Sequence, residues 1–325
     1  MRQAIPIFVT AVGALAVCTA MPTSAQNYPA KRIRIVTPYA PGGTADIMAR
    51  LVSQRLTEVW GQPVVVENRP GASGMIGAGL VAKAPPDGYT LLAAYVTEIA
   101  IVPGLYPNAS YDPVKDFDPI SVTALTPMIL VVNPSLPAAT VKDLVRLAKA
   151  QPGKIAYASA GAGSPAHLAG ELLQRTAGIK MTHVPYKGGG PALIDTIAGQ
   201  TAMFFSSMPS AMPHVKSGKL RAMAVSTAKR SSAAPDVPTV AQSGGFDFDI
   251  GAWNALLAPA GTPKDIISKI NNEVTRGLTA PDARDRLARE GADTVDYTPD
   301  QVRGFIHSEI EKFSKLVKDA GVTPD

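Results

Sequence analysis

The chain has 325 residues, 31 of them Lys or Arg and 26 Asp or Glu, so its formal net charge is only +5 and no dense basic run interleaved with aromatics is present. That balance argues against nucleic acid as a partner. A single cysteine, Cys18, excludes an intrachain disulfide framework or a Cys-based zinc site. With 46% hydrophobic residues the chain can bury a sizeable core of one large or two ordinary domains.

Residues 1–25 read as a secretory signal peptide: Arg2 supplies the positive start, Ile5 to Val17 the apolar stretch, and Thr23-Ser24-Ala25 the small residues for cleavage before Gln26. Pro6 and the shortness of the apolar stretch argue against an uncleaved anchor. Val17 does not suit the lipoprotein pattern before Cys18. A periplasmic address and a cysteine-free mature chain are therefore expected.

Beyond the leader, Ile33 to Thr37 reads as a buried strand, and Ile47, Leu51, Val52, Leu56 and Val59 keep helical spacing up to Gly61. Val64 to Val66, a small-residue helix over 73–82 and a strand at Tyr89 to Ala93 complete a β-α-β-α-β unit, which implies a parallel sheet with right-handed crossovers. Thr140 starts a helix that ends at Pro152-Gly153. A second alternation follows: a strand at Ile155 to Ala158, a helix opened by Ser164-Pro165, strands near Met181 to Val184 and Ala202 to Phe205 around a helix over 191–198, and a strand at Leu220 to Val225. Residues 229–238 read as a connection. Thr262-Pro263 is expected to cap a helix through Leu278, and Thr298 to Gln301 forms a capping box for a last helix. The expected units are residues 26–127 plus 229–325 as a discontinuous first lobe and 128–228 as the second. Two α/β lobes joined by crossing chain make a hinged cleft suited to ligand capture.

Three glycine-rich turns join strand ends to helix starts: Pro38 to Thr44, Ser159 to Ser164 and Tyr186 to Pro191. Unpaired N–H groups at a helix start favour anions, and glycine lets an anion approach the backbone. In open parallel sheets such turns lie where ligands bind. Any one of them is equally well a tight turn, whereas three from two lobes favour anion binding across a cleft. Arg69 in a fourth turn is read as a structural partner of Glu67. Gly161 to Ala166 also fits a dinucleotide fingerprint, but the next strand ends without the ribose-binding acid. No Walker A motif or G-x-S-x-G elbow occurs. His167, His183, His214 and His307 show no metal-ligand spacing, and His167 reads as a structural residue at a helix start.

In order, PYAPGGTAD (38–46), NRPGAS (68–73), PDGYTL (86–91), YDPVKDF (111–117), SAGAGSPAHLAGE (159–171), HVPYKGGGPA (183–192), PSAMPHVKSGK (209–219) and WNALLAPAGTP (253–263) resemble the substrate-binding receptors of tripartite tricarboxylate transporters, the Bug receptors. The resemblance spans essentially the whole chain. It implies an α/β periplasmic binding protein of Venus-flytrap form with a parallel-rich sheet in each lobe. It also implies a small organic carboxylate as ligand, two integral membrane subunits as partners, no metal and no organic cofactor, and contacts through the Gly42-Gly43 and Gly161-to-Ser164 turns. The site expected is Tyr39, Pro41, Gly42, Gly43, Thr44 and Asp46 from the first turn, Thr97 and Glu98 after the third strand, Ser159, Gly161, Gly163 and Ser164 from the second turn, then Gly189 and Ser206. A monomer is expected. Glu98, and Ser206 where relatives carry an acid, depart from the family pattern. They suggest a ligand with one anchored carboxylate and a polar or cationic second end. A ligand-presenting sensor module is the main alternative function. A hydrolase or dehydrogenase would need a catalytic constellation that the sequence does not display.

Overall fold

The computed structural model describes residues 28–106, 108–289 and 291–322; the leader and Cys18 lie outside them. The first lobe starts with β1 (Ile33–Thr37), α1 (Thr44–Trp60), β2 (Val64–Asn68), α2 (Met75–Ala82) and β3 (Thr90–Tyr95). β1 pairs in parallel with both β2 and β3. Its near-continuous burial is what a parallel strand covered on both faces requires. Ile33 and Ile35 pack beneath α1, while Val36 and Leu92 belong to the cluster beneath α2. After β3 the chain makes a π-helical turn at Thr97–Ile101 and the short α3 (Val102–Leu105).

The long β4 (Phe117–Val132) was not foreseen as a strand, and it organises the molecule. Its first part, up to Pro127, pairs antiparallel with β9 (Gly251–Pro259). From Met128 onward it pairs with β7 (Met203–Ser207) on one side and β8 (Arg221–Val225) on the other. Pro119 stands where the register shifts, and Pro127 ends the first pairing. These are the places where a proline's missing N–H does least harm in a sheet. The strand order is thus β2-β1-β3-β9-β4-β7-β5-β6, with β8 attached to β4. The two sheets share β4.

The second lobe adds α4 (Val141–Ala150), β5 (Ala156–Ser159), α5 (Pro165–Ala177), β6 (Thr182–Pro185), α6 (Gly189–Ile197) and α7 (Met208–Lys216). β5 pairs in parallel with β6 and β7. Ser164 caps α5, its hydroxyl accepting the His167 N–H, and Pro165 takes the first helical position as expected. α7 was not anticipated because it contains Pro209 and Pro213.

Where the chain crosses between lobes, the buried Ser226 ties the two crossing segments together. Its N–H donates to Met128 O at 2.8 Å, and its hydroxyl receives the Met128 N–H at 3.1 Å and donates to Ile250 O at 2.5 Å. The short α8 (Val240–Gly244) lies between β8 and β9. The tail forms α9 (Lys264–Thr279), α10 (Pro281–Arg289) and α11 (Pro299–Ala320). Thr298 and Gln301 make the expected capping box, whereas Pro263 itself occupies the α9 cap and Thr262 donates to Pro259 O instead. α11 packs against the π-helical turn and β4 and reaches α5 in the other lobe.

Gly170 faces the buried Tyr157 ring so closely that a Cβ there would stand 2.3 Å from it. Tyr157 cannot retreat, because its hydroxyl is bonded to Glu171 and its ring is fully buried. Gly170→Ala should therefore destabilise the protein by about 1–3 kcal/mol despite the better helix propensity of alanine, measured as a lower urea midpoint at unchanged slope.

Candidate functional site

The C-terminal ends of β1, β3, β5 and β7 and the helices that follow β1, β5 and β7 converge on one pocket between the lobes. Its walls are Tyr39, Gly43, Thr44, Ala45 and Tyr95 from the first lobe. Met128, Ala160, Ser164, Pro165, Ala166, Gly189, Phe204, Phe205, Ser206, Ser207 and Ser210 face them. Among the described residues, no Lys, Arg, His, Asp or Glu borders it. Its water-accessible volume is about 50 Å³.

The polar character of this pocket comes from the backbone. Four helices of nine or more residues, α1, α5, α6 and α7, begin at its rim. α1, α6 and α7 have no side-chain cap. First-turn N–H groups have no partner within their own helix. Among the described residues, no internal acceptor takes the N–H of Gly43, Thr44, Ala45, Ala160 or Ala166. All five residues line the pocket. Each helix start also adds partial positive charge.

Gly42, Gly161 and Gly163 play a different part from Gly43 and their other neighbours. The Gly42 N–H donates to Asp46 Oδ2 at 3.2 Å, the Gly161 N–H to Ser159 Oγ at 3.1 Å, the Gly163 N–H to His167 Nδ1 at 3.0 Å and the Ser164 N–H to Gly161 O at 3.1 Å. These amides are occupied inside the protein, so they shape the turns, and the alanines beside them keep free donors. The positive φ of Gly42, Gly161 and Gly163 is what lets the chain turn this way.

Of the expected residues, Tyr39, Gly43, Thr44, Ser164, Gly189 and Ser206 border the pocket. Pro41 and Gly42 form an exposed lip, and the Pro41 carbonyl lies against Gly190 of the other lobe. Asp46 is buried, paired with Arg50 at 3.0 Å and receiving Asn68 Nδ2 at 3.0 Å. Burial alone would raise its carboxyl, but the bonds from Arg50, Asn68 and Gly42 outweigh that and hold it below the usual carboxylate range. Thr97 and Ser159 are buried behind the walls. Arg69 donates to Glu67 at 2.6 Å.

Glu98 requires a correction. The π-helical turn folds its side chain behind the pocket wall, where it is fully buried. Its carboxylate accepts the Tyr39 hydroxyl at 2.7 Å and the Tyr95 N–H at 2.6 Å. Burial pushes the Glu98 carboxyl up to about 8 in spite of these donors. It therefore presents no charge to a ligand near neutral pH, and the case for a cationic ligand end falls. Sequence reasoning missed Ala45, Tyr95, Met128, Ala160, Pro165, Ala166, Phe204, Phe205, Ser207 and Ser210. The signal for some was present: Pro165 and Ala166 follow a recognised cap, and Ser207 follows a recognised strand.

The lobes touch across this pocket. Thr44 Oγ1 donates to Ser207 Oγ at 2.5 Å, and Ser207 in turn donates to Ser210. Ser73 Oγ donates to Ala162 O at 2.7 Å. These bonds bridge the two lobes directly.

Residues 48–322 match the model of the tripartite tricarboxylate transporter family receptor. The chain belongs to this family. BugT of Bordetella pertussis is 39% identical over 318 residues, covering 98% of this chain and 96% of that protein. An R. palustris protein solved with adipate superimposes with a TM-score of 0.89 at 35% identity, covering 92% of this chain and all of that one. MatC from Rhodopseudomonas palustris, with bound malate, gives 0.84 at 32% identity over 89% of this chain and all of that one. Family members are periplasmic solute-binding receptors rather than enzymes, and the two-lobed α/β fold is theirs. Among the described residues no helix is long and apolar enough to cross a membrane, and no group of His, Cys, Asp and Glu could hold a metal.

The Glu98 geometry has a measurable consequence. Its carboxyl titrates higher in the folded chain than in the unfolded one, so the folded state holds the extra proton between about pH 4.5 and 8. Its contribution is fully present below that window and declines as pH rises through it. Glu98→Gln removes the penalty. Relative to wild type it should be near neutral at pH 4.5 and stabilising by on the order of 2–4 kcal/mol at pH 8.5, read from urea unfolding at both pH values.

Proposed function

We propose that this chain captures a small organic carboxylate between its lobes in the periplasm and delivers it to the two integral membrane subunits of a tripartite tricarboxylate transporter. One observation carries the reading: a pocket between the lobes without a charged side chain, lined from both lobes by residues whose backbone N–H groups have no internal acceptor. Hydrogen bonds to an ionised acceptor contribute about 1.5–3 kcal/mol each, so several such amides can offset the desolvation of a carboxylate. A cationic ligand would find positive helix ends and no carboxylate there. The adipate- and malate-bound relatives support the ligand class.

Met128, Phe204, Phe205, Tyr39 and Tyr95 give the pocket an apolar middle, and its volume of about 50 Å³ holds roughly three or four water molecules. Both features favour a short, compact acid with an apolar body and an uncharged or anionic far end, which the hydroxyls of Ser206, Ser207 and Ser210 can receive. The mature receptor begins at Gln26 and works as a monomer without metal or organic cofactor. Its lobes, expected as 26–127 with 229–325 against 128–228, divide later than that on the second crossing, because α8 packs on α4 and β8 and Phe248 stacks on Phe205. The second lobe thus runs on to about Ile250, and the lobes open about the segments where Ser226 joins Met128 and Ile250. The site does not turn its ligand over.

A thermal-shift screen of mono-, di- and tricarboxylates tests this reading. One class should raise the melting temperature, by an amount equivalent to about 2.7 kcal/mol when ligand exceeds Kd a hundredfold, with the acid recovered unchanged. If no acid stabilises the protein, or one is consumed, the proposal falls. Thr44 separates backbone from side-chain recognition. Thr44→Val removes the hydroxyl that meets Ser207, whereas Thr44→Pro also removes the N–H at a helix position that tolerates proline. The valine variant should bind several-fold more weakly, and the proline variant about tenfold more weakly again, in calorimetry with helix content unchanged.

A further inference from the structure

Behind the Gly161-to-Ser164 turn, the second lobe holds a ring stack. His167 in the first turn of α5 and His183 on β6 lie face to face, with centroids 3.8 Å apart and planes 5° from parallel. The Tyr157 ring stacks 5.0 Å from His183. Ser159 Oγ lies 2.6 Å from His183 Nε2. His167 Nδ1 accepts the Gly163 N–H, so the hydrogen-bond pattern assigns the ring proton to Nε2, which faces Glu171 Oε1 at 3.8 Å. That Glu171 oxygen also receives the Tyr157 hydroxyl and the Gln174 amide. Burial and then the neighbouring His183 push the His167 pKa down to about 3, which keeps the ring a neutral acceptor.

The peptide joining Ala162 to Gly163 is trans, and in a planar trans peptide the N–H and the C=O point to opposite sides. Its N–H is held by His167 inside the second lobe. Its C=O faces outward and accepts the Ser73 hydroxyl of the first lobe. Ser73 belongs to a strained segment: it and Ala72 both have positive φ, at 51° and 48°. Such conformations persist where surrounding contacts fix them. One peptide plane therefore connects an imidazole in the core of one lobe to a hydroxyl on the other.

We propose that His167 is a positioning residue for cleft closure: by fixing the Ala162–Gly163 peptide plane it aims the Ala162 carbonyl at Ser73 and so sets how long the closed lobes retain a captured anion. The proposal rests on the carboxylate-receptor reading. Without the acceptor, the peptide can rotate, and the carbonyl no longer meets Ser73. The stacked His183, the Tyr157 ring and Ser159 hold the imidazole in place from below.

The test uses the intact mature chain with adipate and malate as probes. His167→Leu removes the acceptor. His167→Asn keeps one, since the Asn Oδ1 stands near the position of Nδ1. Ser73→Ala removes the donor across the cleft. His167→Leu and Ser73→Ala should each weaken binding about five- to tenfold, mainly through faster dissociation, and His167→Asn should stay within about twofold of wild type. Because both changes act on one peptide, the double variant should bind no more weakly than the weaker single variant. In ligand-free protein, the Gly163 amide resonance should move in His167→Leu and return in His167→Asn. Multiplicative losses in the double variant, unchanged affinity in His167→Leu, or failure of His167→Asn to rescue a folded protein would each overturn the proposal. Should His167→Leu not fold, Ser73→Ala alone and in the His167→Asn background decides. An unweakened Ser73→Ala variant then sinks the idea. If neither acid binds wild type, the acid found by the thermal-shift screen replaces them, and if no acid binds, the carboxylate reading fails on its own. The positioning claim is then decided by the Gly163 amide and by spin-label distances between the lobes, and an unmoved amide or an unchanged distance distribution in His167→Leu overturns it.

Discussion

A single strand, β4, hydrogen-bonds into both sheets, and the geometry of the cleft depends on that continuity. Because β9 holds its first part and β7 and β8 its second, the two lobes are halves of one hydrogen-bonded surface rather than separate bodies on a tether. The helix starts after β1, β5 and β7 consequently face each other across the cleft. The lobes join where β4 changes partners, at Pro127 and Met128, and there Ser226 binds the second crossing segment to the first.

The titratable groups near the pocket are kept behind its walls. Asp46 supports the Gly42 turn from below, Glu98 sits under Tyr39 and Tyr95, and His167 sits under Gly163. In each case the titratable group receives a hydrogen bond from the wall and holds it in shape. On the proposed carboxylate reading, an anion in the pocket meets amides and hydroxyls whose orientation is already set. Such preorganisation limits the ordering that binding has to impose.

Much of this plan was legible in the sequence, because its signals are local. Ser164-Pro165 and the Thr298 to Gln301 box are short-range stereochemistry, and the structure uses them as read. The alternation of buried runs and helical spacing gave the parallel parts of both lobes. β4 was illegible because Pro119 and Pro127 interrupt an otherwise strand-like run, and only the tertiary pairing shows that they stand at a register shift and at the change of partner. Glu98 was misplaced for a related reason. Its position after β3 pointed to the pocket, but the π-helical turn rotates it behind Tyr39, and no composition cue marks that turn. The glycine turns were recognised, yet which of their amides remain free depends on Asp46, Ser159 and His167, which are neighbours in space.

Recognition through the main chain has an evolutionary side. A lysine or arginine that binds an anion can be lost in one codon change, whereas the N–H groups of Gly43, Thr44, Ala45, Ala160 and Ala166 exist whatever side chain is encoded there, proline excepted. On the proposed reading, the grip on the anion is in this sense inherited with the fold. Variation is left to act on the side chains around the body of the ligand, such as Met128, Phe204, Phe205 and the three serines. A scaffold of this kind can be retuned to a new acid by changing its upholstery, with the frame that holds the charge left untouched.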